Sequence, residues 1–354
     1  MGVEFGFTCN KIDEVGIAVH AENLGYDFCW VTDSPMIRSN VWAVMALIAQ
    51  QTQRLRLGTG VAVPGLRLAP VAANGIATIN RLAPGRCFIG LGTGNTAMRM
   101  LGQPPAKVAE FKEYIRVVGA LLRGEEVDFT LGGKTHLVTF ANTDFGYINL
   151  EERIPIHVGG FGPRAQEIAG ELGDGLITGI PRGGTISQAL DNVRRGAGRV
   201  ARPLDGFKTY ALVNLLLLEP GETLSSERVI KEIGSSIMVN VHYLVERWKE
   251  TGEDPLDYVK PIWNEYIRFL DERDASRQHQ EMHKSHYSYL DPEEARFITP
   301  EIIRTFSLAG QPTEIVERLR ALEKEGLDGV NFMPTIEQQY RLTEDFARKV
   351  IAEM

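Results

Sequence analysis

Arg54-Leu55-Arg56-Leu57-Gly58-Thr59-Gly60-Val61-Ala62-Val63-Pro64 sets Leu and Val at every second position and interrupts them with two glycines. An apolar period of two reads as a β-strand. Gly58 and Gly60 remove side chains where a buried strand packs most closely. That pattern marks either a bulge or a place where a ligand meets the backbone. We read it as the second: the end of this strand is the floor of a ligand site, with neighbouring strand ends converging beside it.

The same rhythm continues on both sides. Residues 3–8 read as a strand, and 11–24 as a helix with Ile12, Val15, Ala18 and Val19 on one face and Gly25 as its stop. Asp27-Phe28-Cys29-Trp30-Val31-Thr32 is a second strand, ending at Asp33-Ser34-Pro35. Residues 41–49 and 70–82 predict helices that are apolar nearly all round. Between them lies the strand quoted above, and after Pro84-Gly85 comes a fourth, Arg86-Cys87-Phe88-Ile89-Gly90-Leu91-Gly92. A helix at 108–122 and a small hairpin around Gly132-Gly133 follow. Strands at 154–160, 174–179 and 207–218 alternate with helices at 163–172 and 185–199. The chain closes with a helix at 313–324, a strand at 329–333 and a helix at 336–352.

Strand–helix units joined by short loops argue for parallel strands with crossover helices. Eight such units give an α/β fold, a closed (β/α)8 TIM barrel; an open doubly wound sheet is the alternative. Residues 219–306 break the rhythm. They are rich in charged and aromatic residues and read as a mostly helical insertion after the seventh strand, expected to cap the C-terminal face of a single domain spanning 1–354.

The chain has 354 residues, 44% of them hydrophobic, and a formal net charge of -8. The acidic balance argues against nucleic acid as the main partner. Cys9, Cys29 and Cys87 stand far apart without metal-ligand spacing, as buried reduced thiols do. No apolar run is long enough to cross a bilayer, and Val3-Glu4-Phe5-Gly6-Phe7 enters a strand directly, so a cytoplasmic protein is expected. Nucleophile-elbow, Walker and zinc motifs are missing from the sequence.

Two stretches read as anion sites. In Gly159-Gly160-Phe161-Gly162-Pro163-Arg164 the glycines admit a ligand, the next helix offers free N–H groups, and Arg164 adds a planar cation. Thr178-Gly179-Ile180-Pro181-Arg182-Gly183-Gly184 opens the following helix in the same way. The competing reading is that these glycines serve only tight turns. Thr93 and Asn95 supply polar groups beside Gly90-Leu91-Gly92, and Asp33 is placed to accept a ligand hydrogen bond, to act in proton transfer, or merely to cap Ile37 or its neighbours. His157 reads as a core histidine. His283 and His286 share a helical spacing without the carboxylates or cysteines of a metal set, so no metal site is expected and a solvated face is the leading reading.

Asp27-Phe28-Cys29-Trp30-Val31-Thr32-Asp33, Thr52-Gln53-Arg54-Leu55-Arg56-Leu57-Gly58-Thr59-Gly60-Val61, Leu82-Ala83-Pro84-Gly85-Arg86 and the Gly159–Arg164 stretch with Gly173-Asp174-Gly175 resemble the bacterial-luciferase-like superfamily, within it most of all the methylenetetrahydromethanopterin reductase branch. The resemblance implies a barrel that binds FMN or the deazaflavin coenzyme F420 at its C-terminal face, with a cis peptide at Gly60–Val61. Asp33, Gly60, Val61 and Asn95 would line the ring and ribityl chain. Gly160, Gly162, Arg164, Gly179 and Ile180 would hold the phosphate end. The resemblance also implies a homodimer formed through the early apolar helices. Several members carry a histidine after the acidic residue of the second strand end, where this chain has Ser34-Pro35. Asp33 and Asn95 therefore stand as catalytic candidates, with His283 or His286 as replacements from the insertion.

These readings together imply an oxidoreductase acting on a small organic substrate, by monooxygenation with FMN or hydride transfer with F420. The rival is a non-redox barrel binding a phosphorylated ligand, as a hydrolase, lyase or flavin-binding protein.

Overall fold

The central strand starts on a carboxylate. Glu22, buried near the end of the helix Gly16–Asn23, accepts hydrogen bonds from the N–H groups of Gln53 (3.0 Å), Arg54 (2.6 Å) and Leu55 (2.7 Å). Three donors on one carboxylate fix the turn out of the helix Val41–Gln51 and aim the chain into the strand Arg56–Thr59. Arg86 secures the same corner from the other side, donating to the carbonyls of Ala49, Thr52 and Leu55. Two of those carbonyls belong to the end of that helix, where a cation meets the negative end of the dipole.

A computed structural model of the protein describes residues 2–180 and 184–354. Eight parallel strands close into a barrel in chain order: Glu4–Thr8, Phe28–Val31, Arg56–Thr59, Cys87–Leu91, Ile156–Gly159, Gly175–Gly179, Lys208–Val213 and Gly329–Phe332. Strands such as Phe-Cys-Trp-Val and Cys-Phe-Ile-Gly-Leu are buried at every position, as parallel strands covered on both faces must be. Inside the barrel, Phe28, Trp30, Phe88, Ile177 and Tyr210 form one packed layer. The hairpin lies at Val127–Leu131 and Lys134–Val138, as the Gly132-Gly133 turn predicts.

The described residues fall into two compact units. The first holds the barrel over 1–98, 104–212 and 322–331. The second comprises 99–103, 213–321 and 332–354. Its core is built on the long helix Glu227–Thr251, with Lys260–Asp271 and Pro300–Phe306 packed through Ile237, Val241, Trp263, Tyr266, Phe297 and Ile302.

One expected strand is corrected. Residues 207–218 do not form a single strand: it breaks at Asn214, and Leu215–Leu217 pairs in parallel with Leu308–Gly310 instead. The buried Asn214 side chain causes the break. It donates to the carbonyl of Phe306 (2.9 Å) and accepts from the Tyr287 hydroxyl (3.0 Å). No described helix is long and apolar enough to cross a membrane.

Candidate functional site

At the C-terminal end of the third strand the backbone changes partners. Gly60 donates to Val31 of the second strand (2.9 Å). The next peptide, Gly60–Val61, is cis, as the family resemblance implies. Ala62 then donates to Gly90 of the fourth strand (2.7 Å) and accepts from Gly92 (3.0 Å). The glycines here have an internal cause that sequence reading missed. A Cβ on Gly58 would lie 2.3 Å from the Phe88 ring, and one on Gly60 would lie 2.7 Å from the Trp30 side chain. Protein aromatics, not a ligand, fill the space beside both Cα atoms. Gly92 is bare for the same reason, because a Cβ there would lie 2.5 Å from Val61 Cγ2.

Asp33, at the end of the second strand, is buried and ion-paired with Arg67 from the loop after the third strand. Burial pushes its carboxyl above the ordinary range, and the Arg67 guanidinium only partly offsets that. The expectation of a cap on Ile37 is corrected, since the Ile37 N–H donates to the Ser34 carbonyl instead. Sequence reading missed Arg67, whose loop carries no motif. It also missed Tyr114, on the helix Val108–Leu122, which feels the charges of both Asp33 and Arg67.

Three buried donors have no partner among the described residues: the Trp30 Nε1–H in the second strand, the Tyr114 hydroxyl, and the Asn331 Nδ2 group in the eighth strand. Asn331 uses its Oδ1 to accept from Thr8 (2.7 Å), which leaves the amide nitrogen over. Buried donors without acceptors are rare and costly in a finished protein. A set of them fits a ligand rich in carbonyl and ring-nitrogen acceptors, such as a flavin-type ring.

The first of the two loops expected to bind an anion pairs a glycine with a helix start. Gly162 precedes the helix Pro163–Leu172, a Cβ on Gly162 would meet open space, and Arg164 is exposed with no partner among the described residues. Gly160 contributes differently, because its N–H already donates to the Ile177 carbonyl (2.9 Å) and its Cα face abuts Ala165 and Gln166. In the second loop, Gly179 ends the sixth strand beneath the exposed Phe161 ring and Ile180 follows it half-buried; Pro181, Arg182 and Gly183 lie outside the described residues. Asn95 opens the short helix Asn95–Arg99 and is half-buried.

The histidines of the insertion do not form a solvated face. His283 has 0% and His286 9% of its surface exposed, both inside the second unit. They sit after the short helix Gln278–Glu281, among His242, Glu246 and Tyr287. His283 stands 3.7 Å from Glu246, within ion-pair range but beyond hydrogen-bonding distance, and neither of its ring nitrogens has a hydrogen-bond partner among the described residues. A ring without exposed surface touches no substrate unless its surroundings open. His157 is the core histidine expected, stacked on Phe88.

The luciferase-like monooxygenase family model matches residues 11–329. The chain belongs to that family. It is 24% identical over 315 residues to a 5,10-methylenetetrahydromethanopterin reductase of Archaeoglobus fulgidus, covering 88% of this chain and 86% of the relative. It is 29% identical over 348 residues to an F420-dependent glucose-6-phosphate dehydrogenase of Beutenbergia cavernae, covering 88% and 95%. The fold is shared with the coenzyme F420-dependent tetrahydromethanopterin reductase of Methanopyrus kandleri, at a TM-score of 0.71 and 20% identity over 100% of this chain and 99% of that one. As a luciferase-like protein, it is an oxidoreductase of the flavin- or F420-dependent type.

Proposed function

We propose that this protein is an F420-dependent oxidoreductase that moves a hydride between the deazaflavin and a small organic substrate. The observation that carries the reading is that Trp30, Tyr114 and Asn331 each bury a donor without a partner among the described residues, with Tyr114 beside the Asp33–Arg67 pair at the end of the second strand. The choice of F420 over FMN is supported by the relatives, whose names specify methylenetetrahydromethanopterin reduction and F420-dependent sugar-phosphate oxidation.

When bound, the deazaflavin supplies a ring carbon that gives or takes a hydride and, unlike a flavin, does not readily activate oxygen. The chain does the rest. Trp30, Tyr114 and Asn331 offer donors to the ring, while Gly162, Arg164 and the first turn of Pro163–Leu172 receive the phosphate. Asp33, kept above the usual carboxylate range, holds or releases a proton at its carboxyl oxygen, and Arg67 orients it.

The test is a fluorescence titration of the protein with F420 and with FMN, each oxidised and reduced. Micromolar binding of F420 alone agrees with the proposal. Binding of FMN alone, with oxygen consumed on reduction, replaces it by monooxygenation. Binding of neither removes the cofactor site from the strand ends.

A further inference from the structure

A cavity lies at the end of the barrel where the strands begin, opposite the strand ends of the candidate site. Its volume is about 180 Å³, room for several waters or one small ion. Arg56, Cys87 and Lys208 are the first residues of their strands, and Asp174 directly precedes the sixth; all four line it, with Arg86, Phe88, Arg153, His157 and Tyr210.

The charged side chains that line this cavity are mostly cationic. Four cationic side chains line it, Arg56, Arg86, Arg153 and Lys208, against one carboxylate, Asp174. Glu4 accepts from Arg56 (2.6 Å) and lies 3.4 Å from Lys208, which also approaches Asp328 at 3.4 Å. Asp174 is shared between Arg153 (2.6 Å) and Arg202 (2.8 Å). Arg86 has no carboxylate partner among the described residues; its donors go to the Thr52 hydroxyl and to the carbonyls of Ala49, Thr52 and Leu55. The buried Glu22 carboxylate acts on its charge, and its terminal donors are spent on the strand corner rather than on the cavity.

His157 gives the second, independent indication. It is 5% exposed and lines the cavity, pressed between Phe88 (ring centroids 4.8 Å apart) and Tyr210 (5.2 Å). Neither ring nitrogen has a hydrogen-bond partner among the described residues, and Nδ1 is wholly enclosed. Burial pulls the imidazole down to about 4, so at neutral pH it carries one N–H and no charge. A neutral ring there adds a directional donor to a field set by arginine and lysine.

We propose that this cavity binds a small oxyanion, a phosphate or a carboxylate, held by the His157 ring N–H and by the cationic side chains of Arg153 and Lys208 in its lining. It lies away from the strand ends assigned to the cofactor and needs no redox chemistry. Arginine forks match both anion geometries, so the chemistry of recognition is common to the two.

The experiment uses the full chain with its histidines carbon-13 labelled at Cε1. The His157 signal is assigned through its proximity to the Phe88 ring. Inorganic phosphate, acetate and chloride are titrated separately at matched ionic strength. The expected result is a saturable millimolar shift of the His157 signal with phosphate or acetate and none with chloride. The tighter of the two anions names the ligand class. Arg153→Ala, at an exposed rim position, weakens that response roughly tenfold, the loss of one charge-assisted contact. A His157 signal unmoved by both oxyanions, moved equally by chloride, or titrating unchanged in Arg153→Ala overturns the proposal.

Discussion

The Arg67 guanidinium is paired with the Asp33 carboxylate, and both side chains are largely buried, with 17% and 2% of their surface exposed. Burial makes this pair fragile when one half is removed. Arg67→Met leaves Asp33 buried without its cation. Its carboxyl then rises further above the ordinary range, and the protein loses about 3 kcal/mol at neutral pH. Because a raised folded-state pKa costs stability as pH climbs from the unfolded-state pKa to the folded one, the loss should shrink on acidification. Urea unfolding at two pH values checks this, and an equal loss at both contradicts it. F420 affinity, read by fluorescence, should fall at least about tenfold as the orientation of Asp33 is lost.

Two glycines of the candidate site respond differently to the same change. Gly58→Ala drives a methyl group into the Phe88 ring and its carbonyl oxygen, at 2.3 and 2.5 Å. Overpacking against backbone should cost about 3 kcal/mol. Gly162→Ala meets nothing within 4 Å and should cost less than about 1 kcal/mol. Thermal unfolding of the two variants distinguishes them. Equal costs would mean that the Phe88 contact does not set the identity of residue 58.

Glu4 sets part of the acid limit. Burial alone would raise its carboxyl, but hydrogen bonds from Arg56 and Tyr210 and the charges of Arg56 and Lys208 outweigh it and leave the group below its ordinary 4.5. A depressed carboxylate stabilises the fold above its unfolded-state pKa, and that contribution drains away as pH falls through the lowered value. Glu4→Gln should therefore be less stable at pH 7 by about 2 kcal/mol and show a flatter loss below about pH 4.5. Parallel acid slopes for the two proteins would assign the acid limit to other groups.

Leu68, Val71 and Leu82, at the ends and outer side of the helix Ala69–Leu82, are 44%, 51% and 41% exposed. Apolar residues clustered on one helix edge favour a covered face. We expect a homodimer that uses this edge, and Val71→Asp should convert it to monomer in sedimentation velocity. A wild-type protein that sediments as monomer at micromolar concentration removes the expectation.

The barrel was legible because parallel strands buried on both faces leave continuous apolar runs, and the short loops between them leave little room for other topologies. Asn214 hid a strand break: a lone asparagine in an apolar run acts through Phe306 and Tyr287, which are distant in sequence. Gly58 and Gly60 signalled a close approach, but the sequence does not say by what, and Phe88 and Trp30 proved to be the neighbours. Arg67, Tyr114 and Trp30 carry no motif; a charged pair or a stranded donor exists only once the fold brings its surroundings together. His283 and His286 misled for the opposite reason, because polar type suggested a surface while their packing is interior.

The short parallel ladder of Leu215–Leu217 with Leu308–Gly310 joins the two ends of the long excursion between them. Neighbouring strands stand only about 4.8 Å apart, so the intervening segment leaves and returns through one narrow gate. Its length then enters the folding free energy only logarithmically. Such a joint makes the excursion tolerant of length: a longer segment closed at the same two anchor points would add only about 0.6 kcal/mol of closure cost per doubling.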